Sequence, residues 1–228
     1  MRELEPYNTL LSNIYYSNPE KPYKAVLITS NETQDLKTTT IANLAYCAVV
    51  NGKKVVLIDF DVRKPTVHRT FKVEKEIGLI DYIGGTAKEE DIIKHSESGV
   101  DVITPGLNVV NPAILTQSEK VASLIKSLKE KYDYIFVDTP PVSVCNDALV
   151  LSKVVDGVVF NIALTQTKKV AAKESIQALK QYGANIIGIN LTKYPLHAKN
   201  ENYYSHYYSE YYNQETEVPA PAASQEKK

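Results

Sequence analysis

Short apolar runs alternate along this chain with longer stretches in which apolar residues recur at the spacing of a helix. Five of the apolar runs begin at Ala25, Val55, Tyr134, Gly157 and Asn185. Uninterrupted runs of this kind are typical of strands in a parallel sheet whose two faces are both covered. The shorter run over 100–103 predicts one more strand.

Helices are predicted in the stretches between the runs. The apolar spacing indicates helices over 37–50, 118–131 and 168–182, and Asn51-Gly52 ends the first of them because glycine adopts the left-handed cap at little cost. Strands that alternate with such helices predict βαβ units, and therefore an α/β fold with a doubly wound, mostly parallel sheet in a single domain. Ligands of such sheets bind at the carboxyl ends of the strands.

Composition divides the chain into three segments. We predict an N-terminal helical segment over 1–23, the α/β domain over 24–195 and a flexible C-terminal tail over 196–228. Tyrosine occurs 16 times in the chain, against four phenylalanines and no tryptophan, and it is concentrated in the tail. From Val218 onward the tail consists of proline, alanine and polar residues, so we expect this part to be disordered.

The overall composition excludes several classes of protein. Hydrophobic residues make up 43% and charged residues 23% of the 228 residues, as in soluble globular domains. The formal net charge of -1 gives no general attraction to nucleic acid, so we expect no nucleic-acid partner. Cys47 and Cys145 do not suggest a disulfide framework, and no apolar run is long enough for a spanning helix or a signal peptide. We therefore expect a cytoplasmic protein.

The turn between the first predicted strand and the first predicted helix is a candidate phosphate site. Lys37, Thr38 and Thr39 open the helix, where backbone N–H groups and the helix dipole favour an anion. In a phosphate loop the lysine contacts the β- and γ-phosphates and a hydroxyl reaches Mg²⁺. Gln34 and Leu36 stand where such loops carry glycine. For this segment alone, ordinary capping of a helix is the commoner explanation.

Carboxylates follow two of the other predicted strands. Asp59 and Asp61 come after the strand that begins at Val55, and Asp138 follows the strand that begins at Tyr134. Side chains two residues apart at a strand end point the same way, so Asp59 and Asp61 can share a metal ion or position a hydroxyl. Asp138 has the Walker B arrangement, in which an aspartate holds Mg²⁺. The alternative for the first two is a strand-end turn capped by aspartate.

The tail contains pairs of tyrosines at a four-residue period. These tyrosines are Tyr203, Tyr204, Tyr207, Tyr208, Tyr211 and Tyr212. A phenol with an ordinary pKa near ~10 is a poor nucleophile until a base removes its proton, and a flexible tail can bring it to such a base. An aromatic stripe used for packing is the alternative explanation.

Taken in this order, the segments resemble those of the bacterial tyrosine kinases that regulate capsule and exopolysaccharide production. The resemblance runs from Glu5 to about Tyr212 and is carried by the Asp-x-Asp-x-Arg-x-Pro run over 59–65, by 137–141 and by the tyrosine tail. Asn111-Pro112-Ala113 is a further match. The resemblance implies a fold of the P-loop NTPase type, ATP and Mg²⁺ as cofactors, and protein-tyrosine autokinase activity.

The resemblance also implies a role for each candidate residue. Lys37 and Asp59 would be catalytic, the lysine on the phosphates and the aspartate accepting the proton of the incoming tyrosine. The nucleotide would be bound by Lys37, Thr38 and Thr39. The Mg²⁺ ion would be held by Thr38, Asp61 and Asp138. The tail tyrosines would be the phosphate acceptors, offered by a neighbouring subunit.

Members of this family work with a transmembrane adaptor that controls polysaccharide chain length and activates the kinase. The resemblance therefore implies an adaptor of this kind as a partner and a location at the inner face of the cell membrane. It further implies a tyrosine phosphatase as a partner, and association with itself or with a paralogue through the N-terminal helix.

The chain departs from the family pattern at three places. The phosphate loop lacks its glycines at Gln34 and Leu36, and a non-glycine residue held at positive φ costs about 1–2 kcal/mol, so we expect weaker nucleotide binding. Asn8 and Leu11 replace the arginines of the assembly motif, so we expect weaker self-association. Thr192 replaces an asparagine near the base-binding end.

These departures leave two alternatives to an active autokinase. One is a catalytically weak pseudokinase that docks to the export machinery and offers its tail as a substrate. The other is a septum-placement or DNA-partition ATPase on the same fold. That class carries an extra lysine five residues before the loop lysine, where this chain has Glu32, and it lacks a tyrosine tail.

Overall fold

Strands and helices alternate throughout residues 4–107 and 119–193, which are the residues that the computed structural model describes. The strands are β1 (Ala25–Ser30), β2 (Val55–Asp59), β3 (Ile93–His95), β4 (Asp101–Ile103), β5 (Tyr134–Asp138), β6 (Gly157–Ala163) and β7 (Ile186–Thr192). The helices are α1 (Glu5–Tyr16), α2 (Lys37–Val50), α3 (Val67–Phe71), α4 (Leu79–Gly84), α5 (Glu89–Ile92), α6 (Glu119–Lys131), α7 (Asp147–Leu151) and α8 (Lys169–Gln181).

The strands form one seven-stranded sheet in the order β3-β4-β2-β5-β1-β6-β7. All neighbouring strands are parallel except β3 and β4, which are antiparallel. The predicted α/β fold with a doubly wound, mostly parallel sheet is therefore confirmed. The short helices α3, α4, α5 and α7 and the edge strand β3 were not predicted, because segments of three to six residues carry too few apolar positions to show a period.

Helices bury an apolar core on each face of the sheet. On one face, Leu124 and Leu128 of α6 and Leu179 of α8 are fully buried. On the other face, α2 contributes Ile41 and Leu44. This double coverage explains why the central strands are apolar throughout, since neither of their faces meets water.

Helix α1 packs on the same face as α2 through Leu11 and Ile14. Leu11, at a position where the assembly motif carries arginine, is 8% exposed, so it belongs to the core between the two helices. Asn8, at the other such position, accepts a hydrogen bond from the Asn51 side chain at 3.2 Å. Both substitutions therefore anchor α1 to its own subunit.

Several sequence expectations concern residues outside the described ranges. The tyrosine tail and Asn111-Pro112-Ala113 are among them, as is Ser118, the first residue of the helix predicted over 118–131. The described helix starts at Glu119. Within the described ranges, no helix is both long and apolar enough to cross a membrane. Cys47 and Cys145 are both free thiols.

Candidate nucleotide and phosphoryl-transfer site

The register of the central strands brings the predicted site residues to one edge of the sheet. Asp138 is level with Asp59 on β2 and with Ile28 on β1. Lys37 begins α2 seven residues after the end of β1 and is only 6% exposed. The ammonium of Lys37 and the carboxylates of Asp138 and Asp61 are close enough to interact electrostatically. The structure thus assembles side chains that are a hundred residues apart in the sequence.

Asp138 is a buried carboxylate of this edge, only 1% exposed. Its Oδ2 accepts a hydrogen bond of 2.6 Å from the Thr38 hydroxyl. Its Oδ1 is buried and has no hydrogen-bond partner, a situation shared by only two other side-chain atoms in the described part of the chain. Burial raises the pKa of Asp138 to about 6, although the Thr38 hydrogen bond and the Lys37 charge lower it. A buried carboxylate oxygen without a hydrogen-bond partner can accept a cation or a water molecule as its partner.

Asp59 lies level with Asp138 and is fully buried. Its Oδ1 accepts the backbone N–H of Asp61 at 3.0 Å, and its Oδ2 accepts the N–H groups of Thr66 and Val67, each at 3.2 Å. Burial, reinforced by the Asp138 charge, raises the pKa of Asp59 to about 8. Asp59 therefore also caps the turn between β2 and α3, which is the structural role given above as the alternative explanation for this residue.

Lys37 is held in the same low-dielectric surroundings. Burial lowers the pKa of its ammonium, and the charges of Asp138, Asp61 and Asp35 act in the opposite direction. A buried lysine without a hydrogen-bonded partner of its own is poised for an anion. Together with the start of α2, it offers positive charge to a phosphate.

The turn after β2 is linked to the turn after β5 by an ion pair. Arg63 Nη1 lies 2.6 Å from Asp147 Oδ2, and the Cys145 thiol donates to the same oxygen at 3.2 Å. Asp61 accepts the backbone N–H of Lys64 at 3.0 Å. The carboxylate of Asp61 is half-buried and lies close enough to the Lys37 ammonium to interact with it electrostatically.

The residues present fit a magnesium ion, which needs few protein ligands, better than a metal ion that is coordinated by protein side chains alone. In residues 4–107 and 119–193, no group of three His, Cys, Asp or Glu side chains is arranged to hold a metal. Mg²⁺ is commonly held by one or two carboxylates, with water and phosphate oxygens completing its shell. The unpaired oxygen of Asp138 and the hydroxyl of Thr38 match that pattern.

The phosphate loop keeps a left-handed residue at its last position before α2. Leu36 has φ 58° and ψ 33°, so one of the two strained residues expected from the sequence is present. Gln34 is not among the non-glycine residues with positive φ, so the expectation of strain at Gln34 was wrong. The loop requires a glycine-like conformation only at Leu36. Thr39, expected to bind nucleotide, is exposed and faces away from the core.

A groove of about 580 Å³ opens beside the loop. Thr38 and Thr39 form one end of it, and Tyr46 of α2 and Phe71 of α3 line its walls. Thr38, which lines this groove, also donates its hydroxyl to Asp138.

Buried polar residues at the ends of β1 and β6 were missed in the sequence analysis. Asn31, Asp35, Asn161 and Ser175 are each at most 6% exposed. Asn31 accepts the Ser175 hydroxyl at 2.8 Å, which ties the loop to α8. The signal that could have revealed them is Asn161, a polar residue inside the otherwise apolar β6, since a buried amide must be hydrogen-bonded.

The fold and this edge of the sheet together define a P-loop-type ATPase domain. The AAA domain family matches residues 26–186. Among individual relatives, the tyrosine-protein kinase YwqD of Bacillus subtilis (strain 168) is 37% identical to this chain over 196 residues, which cover 83% of each chain. The chain belongs to the bacterial tyrosine-kinase family.

Solved structures separate this family from the related ATPases. The kinase domain of the Escherichia coli tyrosine kinase ETK superposes with a TM-score of 0.82 at 28% identity, covering 86% of this chain and 77% of that one. The septum site-determining protein MinD from Pyrococcus horikoshii, complexed with Mg-ADP, gives a TM-score of 0.62 at 27% identity, with 74% and 69% covered. The septum-placement alternative is therefore the poorer match.

Substitution of Leu36 by glycine should tighten the binding of Mg·ATP by about threefold to tenfold, because it removes the side chain next to the phosphates. The left-handed strain at Leu36 belongs to the folded chain with or without nucleotide, so its removal should raise Tm. Gln34→Gly is the matched control, since Gln34 has no positive φ, and it should leave affinity unchanged. Titration of each variant with a fluorescent ATP analogue measures the effect. Equal gains from both substitutions would show that the Leu36 side chain is not what weakens binding.

Proposed function

We propose that this chain uses ATP and Mg²⁺ to phosphorylate tyrosines of its own C-terminal tail, in the control of capsular or exopolysaccharide synthesis and export. The curated relatives are tyrosine-protein kinases, which places the chain in an enzyme family. The acceptors would be Tyr203, Tyr204, Tyr207, Tyr208, Tyr211 and Tyr212. A neighbouring subunit would offer them.

One observation carries the proposal. The Thr38 hydroxyl is hydrogen-bonded to Asp138, whose other oxygen is buried without a partner, and the Lys37 ammonium lies beside this pair. Leaving such an oxygen unpaired costs about 1–3 kcal/mol or more for a charged group, so the arrangement supports binding of a cation there. A lysine and a helix start beside a cation site support a nucleotide phosphate as the companion ligand.

Each residue has a separate task in this proposal. Thr38, Asp61 and Asp138 would hold Mg²⁺, which when bound would neutralise negative charge on the transferred phosphoryl group. Lys37 would contact the β- and γ-phosphates, with Thr39 at the outer side of the nucleotide site. Asp59 would accept the proton of the tyrosine hydroxyl.

The pseudokinase alternative is not favoured. The lysine, the loop threonine and the three aspartates of the kinase pattern are all present, and the structure brings them to one edge of the sheet. The chain departs from the pattern at the loop glycines, and the loop nevertheless holds a left-handed residue at Leu36. What is altered is the residue type at that position rather than the conformation.

The partners follow from the same proposal. A transmembrane adaptor would recruit the chain to the inner face of the membrane, and a tyrosine phosphatase would reverse the modification. Self-association through α1 should be weak, because Leu11 is buried within the subunit and Asn8 cannot form the ion pairs of an arginine. Light scattering at micromolar concentration should therefore show no stable octamer.

An assay of tail phosphorylation tests the proposed activity. The purified chain, incubated with Mg²⁺ and ATP, should accumulate phosphate on tyrosine, detected by mass spectrometry of the C-terminal peptide. Addition of EDTA should stop the reaction. A variant with phenylalanine at all six positions from Tyr203 to Tyr212 should not be labelled there. Failure to label the tail, in the presence of an adaptor peptide as well, would contradict the proposal.

A further inference from the structure

Asp35, the residue before the left-handed Leu36, is held by hydrogen bonds from three directions. It is 1% exposed. Its Oδ1 accepts the Thr167 hydroxyl at 2.6 Å, and its Oδ2 accepts the backbone N–H of Glu32 at 2.9 Å. Its carbonyl oxygen accepts the Thr192 hydroxyl at 3.3 Å. The side chain and the peptide group that follows it are thus both immobilised.

A second buried side chain bridges the two sides of Leu36. The Nδ2 group of Asn161 donates to the carbonyl oxygen of Asp35 at 3.2 Å and to the Thr40 hydroxyl at 2.9 Å. The Nδ2 group of Asn190 donates to Asn161 Oδ1 at 3.1 Å, which sets the orientation of the amide. One amide therefore holds both the residue that precedes Leu36 and the first turn of the helix that follows it.

These contacts bear directly on the backbone of Leu36. The angle φ of Leu36 is determined by the placement of the Asp35 carbonyl relative to the start of α2. A non-glycine residue leaves the left-handed region unless its surroundings prevent it. The surroundings here are hydrogen bonds to a neighbouring strand, since Asn161 lies on β6 and Thr167 follows it.

We propose that Asp35, Asn161 and Thr167 form a clasp that takes the place of the loop glycine. They are positioning residues: they hold Leu36 left-handed, and so keep the N–H groups at the start of α2 directed at a phosphate. The inference rests on the proposed function in so far as the loop binds nucleotide. The hydrogen bonds themselves concern the folded chain with or without a ligand.

A double-mutant cycle tests the clasp. Asp35→Ala and Asn161→Ala should each weaken Mg·ATP binding by about tenfold when residue 36 is leucine. In a Leu36→Gly background the same substitutions should cost no more than about twofold, because glycine needs no restraint at positive φ. Asp35→Asn, which keeps the shape and one acceptor oxygen, should restore part of the affinity lost in Asp35→Ala.

Ser175→Ala is the matched control. It also removes a buried hydrogen bond to this loop, through Asn31, but it does not bridge Leu36. Its effect on affinity should be the same in both backgrounds. If Asp35→Ala and Asn161→Ala also cost the same in both backgrounds, the clasp does not act on Leu36 and the proposal is overturned.

Thermal unfolding of the same variants gives a readout that does not depend on nucleotide. The fall in Tm caused by Asn161→Ala should be smaller with Leu36 than with glycine at that position, because loss of the restraint lets a strained leucine relax. If Asn161→Ala does not fold, Thr167→Val, which removes only one hydroxyl, replaces it in the cycle. If no variant binds nucleotide but the effect of Asn161→Ala on Tm still depends on residue 36, the proposed function alone is refuted. If the effect of Asn161→Ala on Tm does not depend on residue 36, the clasp is refuted.

Discussion

Replacement of Asp59 by asparagine is expected to lower the rate of tail phosphorylation by about 10²–10⁴-fold while the affinity for Mg·ATP stays within about threefold of the parent. An amide cannot take up the proton of the tyrosine hydroxyl, and positioned bases contribute rate factors of this size. Quantitative mass spectrometry of the tail in single-turnover reactions gives the rate, and nucleotide titration gives the affinity.

The pH dependence of the reaction adds an independent readout for Asp59. Burial and the Asp138 charge raise the pKa of Asp59 to about 8, so the base becomes ionised as the pH rises toward that value. The rate of the parent should therefore rise with pH and level off at or below about pH 8. Bound Mg²⁺ favours the carboxylate and so moves the plateau to lower pH. The residual rate of Asp59→Asn should lack this rise.

A control is needed because Asp59 also accepts backbone N–H groups. Asp81 accepts the N–H of Gly78 at 2.8 Å and is not among the predicted site residues, so Asp81→Asn likewise weakens a carboxylate that caps a backbone turn. It should lower Tm without changing the rate per folded molecule. A rate for Asp59→Asn above a tenth of the parental rate would assign Asp59 to the turn alone.

Replacement of Asp138 by asparagine is the second change with a large expected effect, a loss of activity of about 100-fold or more. The substitution replaces a carboxylate, one of whose oxygens is buried without a partner, by a neutral amide. An amide is a poorer ligand for Mg²⁺ than a carboxylate. The asparagine can still accept the Thr38 hydroxyl, so the loop should stay in place. Raising the Mg²⁺ concentration should recover part of the activity.

Stability should move in the opposite direction from activity. The folded-state pKa of Asp138, about 6, is raised from an ordinary value of 3.8, so the folded chain binds the proton more tightly than the unfolded chain. The contribution of Asp138 to stability is therefore complete below about pH 4 and is lost as the pH rises to about 6. In EDTA, Asp138→Asn should remove this loss and give a Tm at pH 7 equal to or above that of the parent.

Asp133 provides the matched control for this prediction. It immediately precedes β5, at the opposite end of the strand that Asp138 completes, and accepts the backbone N–H of Lys54 at 2.9 Å. Asp133→Asn should change neither the activity nor its dependence on Mg²⁺. A variant Asp138→Asn that keeps full activity at low Mg²⁺ would mean that another group holds the metal.

The sequence by itself was sufficient for the main features of the fold. The apolar runs that begin at Ala25, Val55 and Tyr134 predicted the central parallel strands, because a strand buried on both faces tolerates no charge. It also indicated the candidate carboxylates, since parallel strands end at the same edge of the sheet and ligands bind there. Asp59 and Asp138 are indeed level on neighbouring strands.

Only the tertiary structure decided the state of the loop. The sequence suggested strain at both Gln34 and Leu36, but the backbone is left-handed at Leu36 alone. Backbone angles in a loop depend on distant hydrogen bonds, and those that bear on Leu36 come from Asn161 and Thr167, more than a hundred residues further along the chain.

The chemical environment of the carboxylates was likewise a tertiary result. Burial under the sheet edge is the largest cause that raises the pKa of Asp59 and of Asp138, and this burial requires the whole fold. Leu11 illustrates the same limit, because the sequence showed a missing arginine, whereas the structure shows a core residue between α1 and α2. Local pattern determines which residues form strands and helices, and long-range packing determines what the residues at their ends can do.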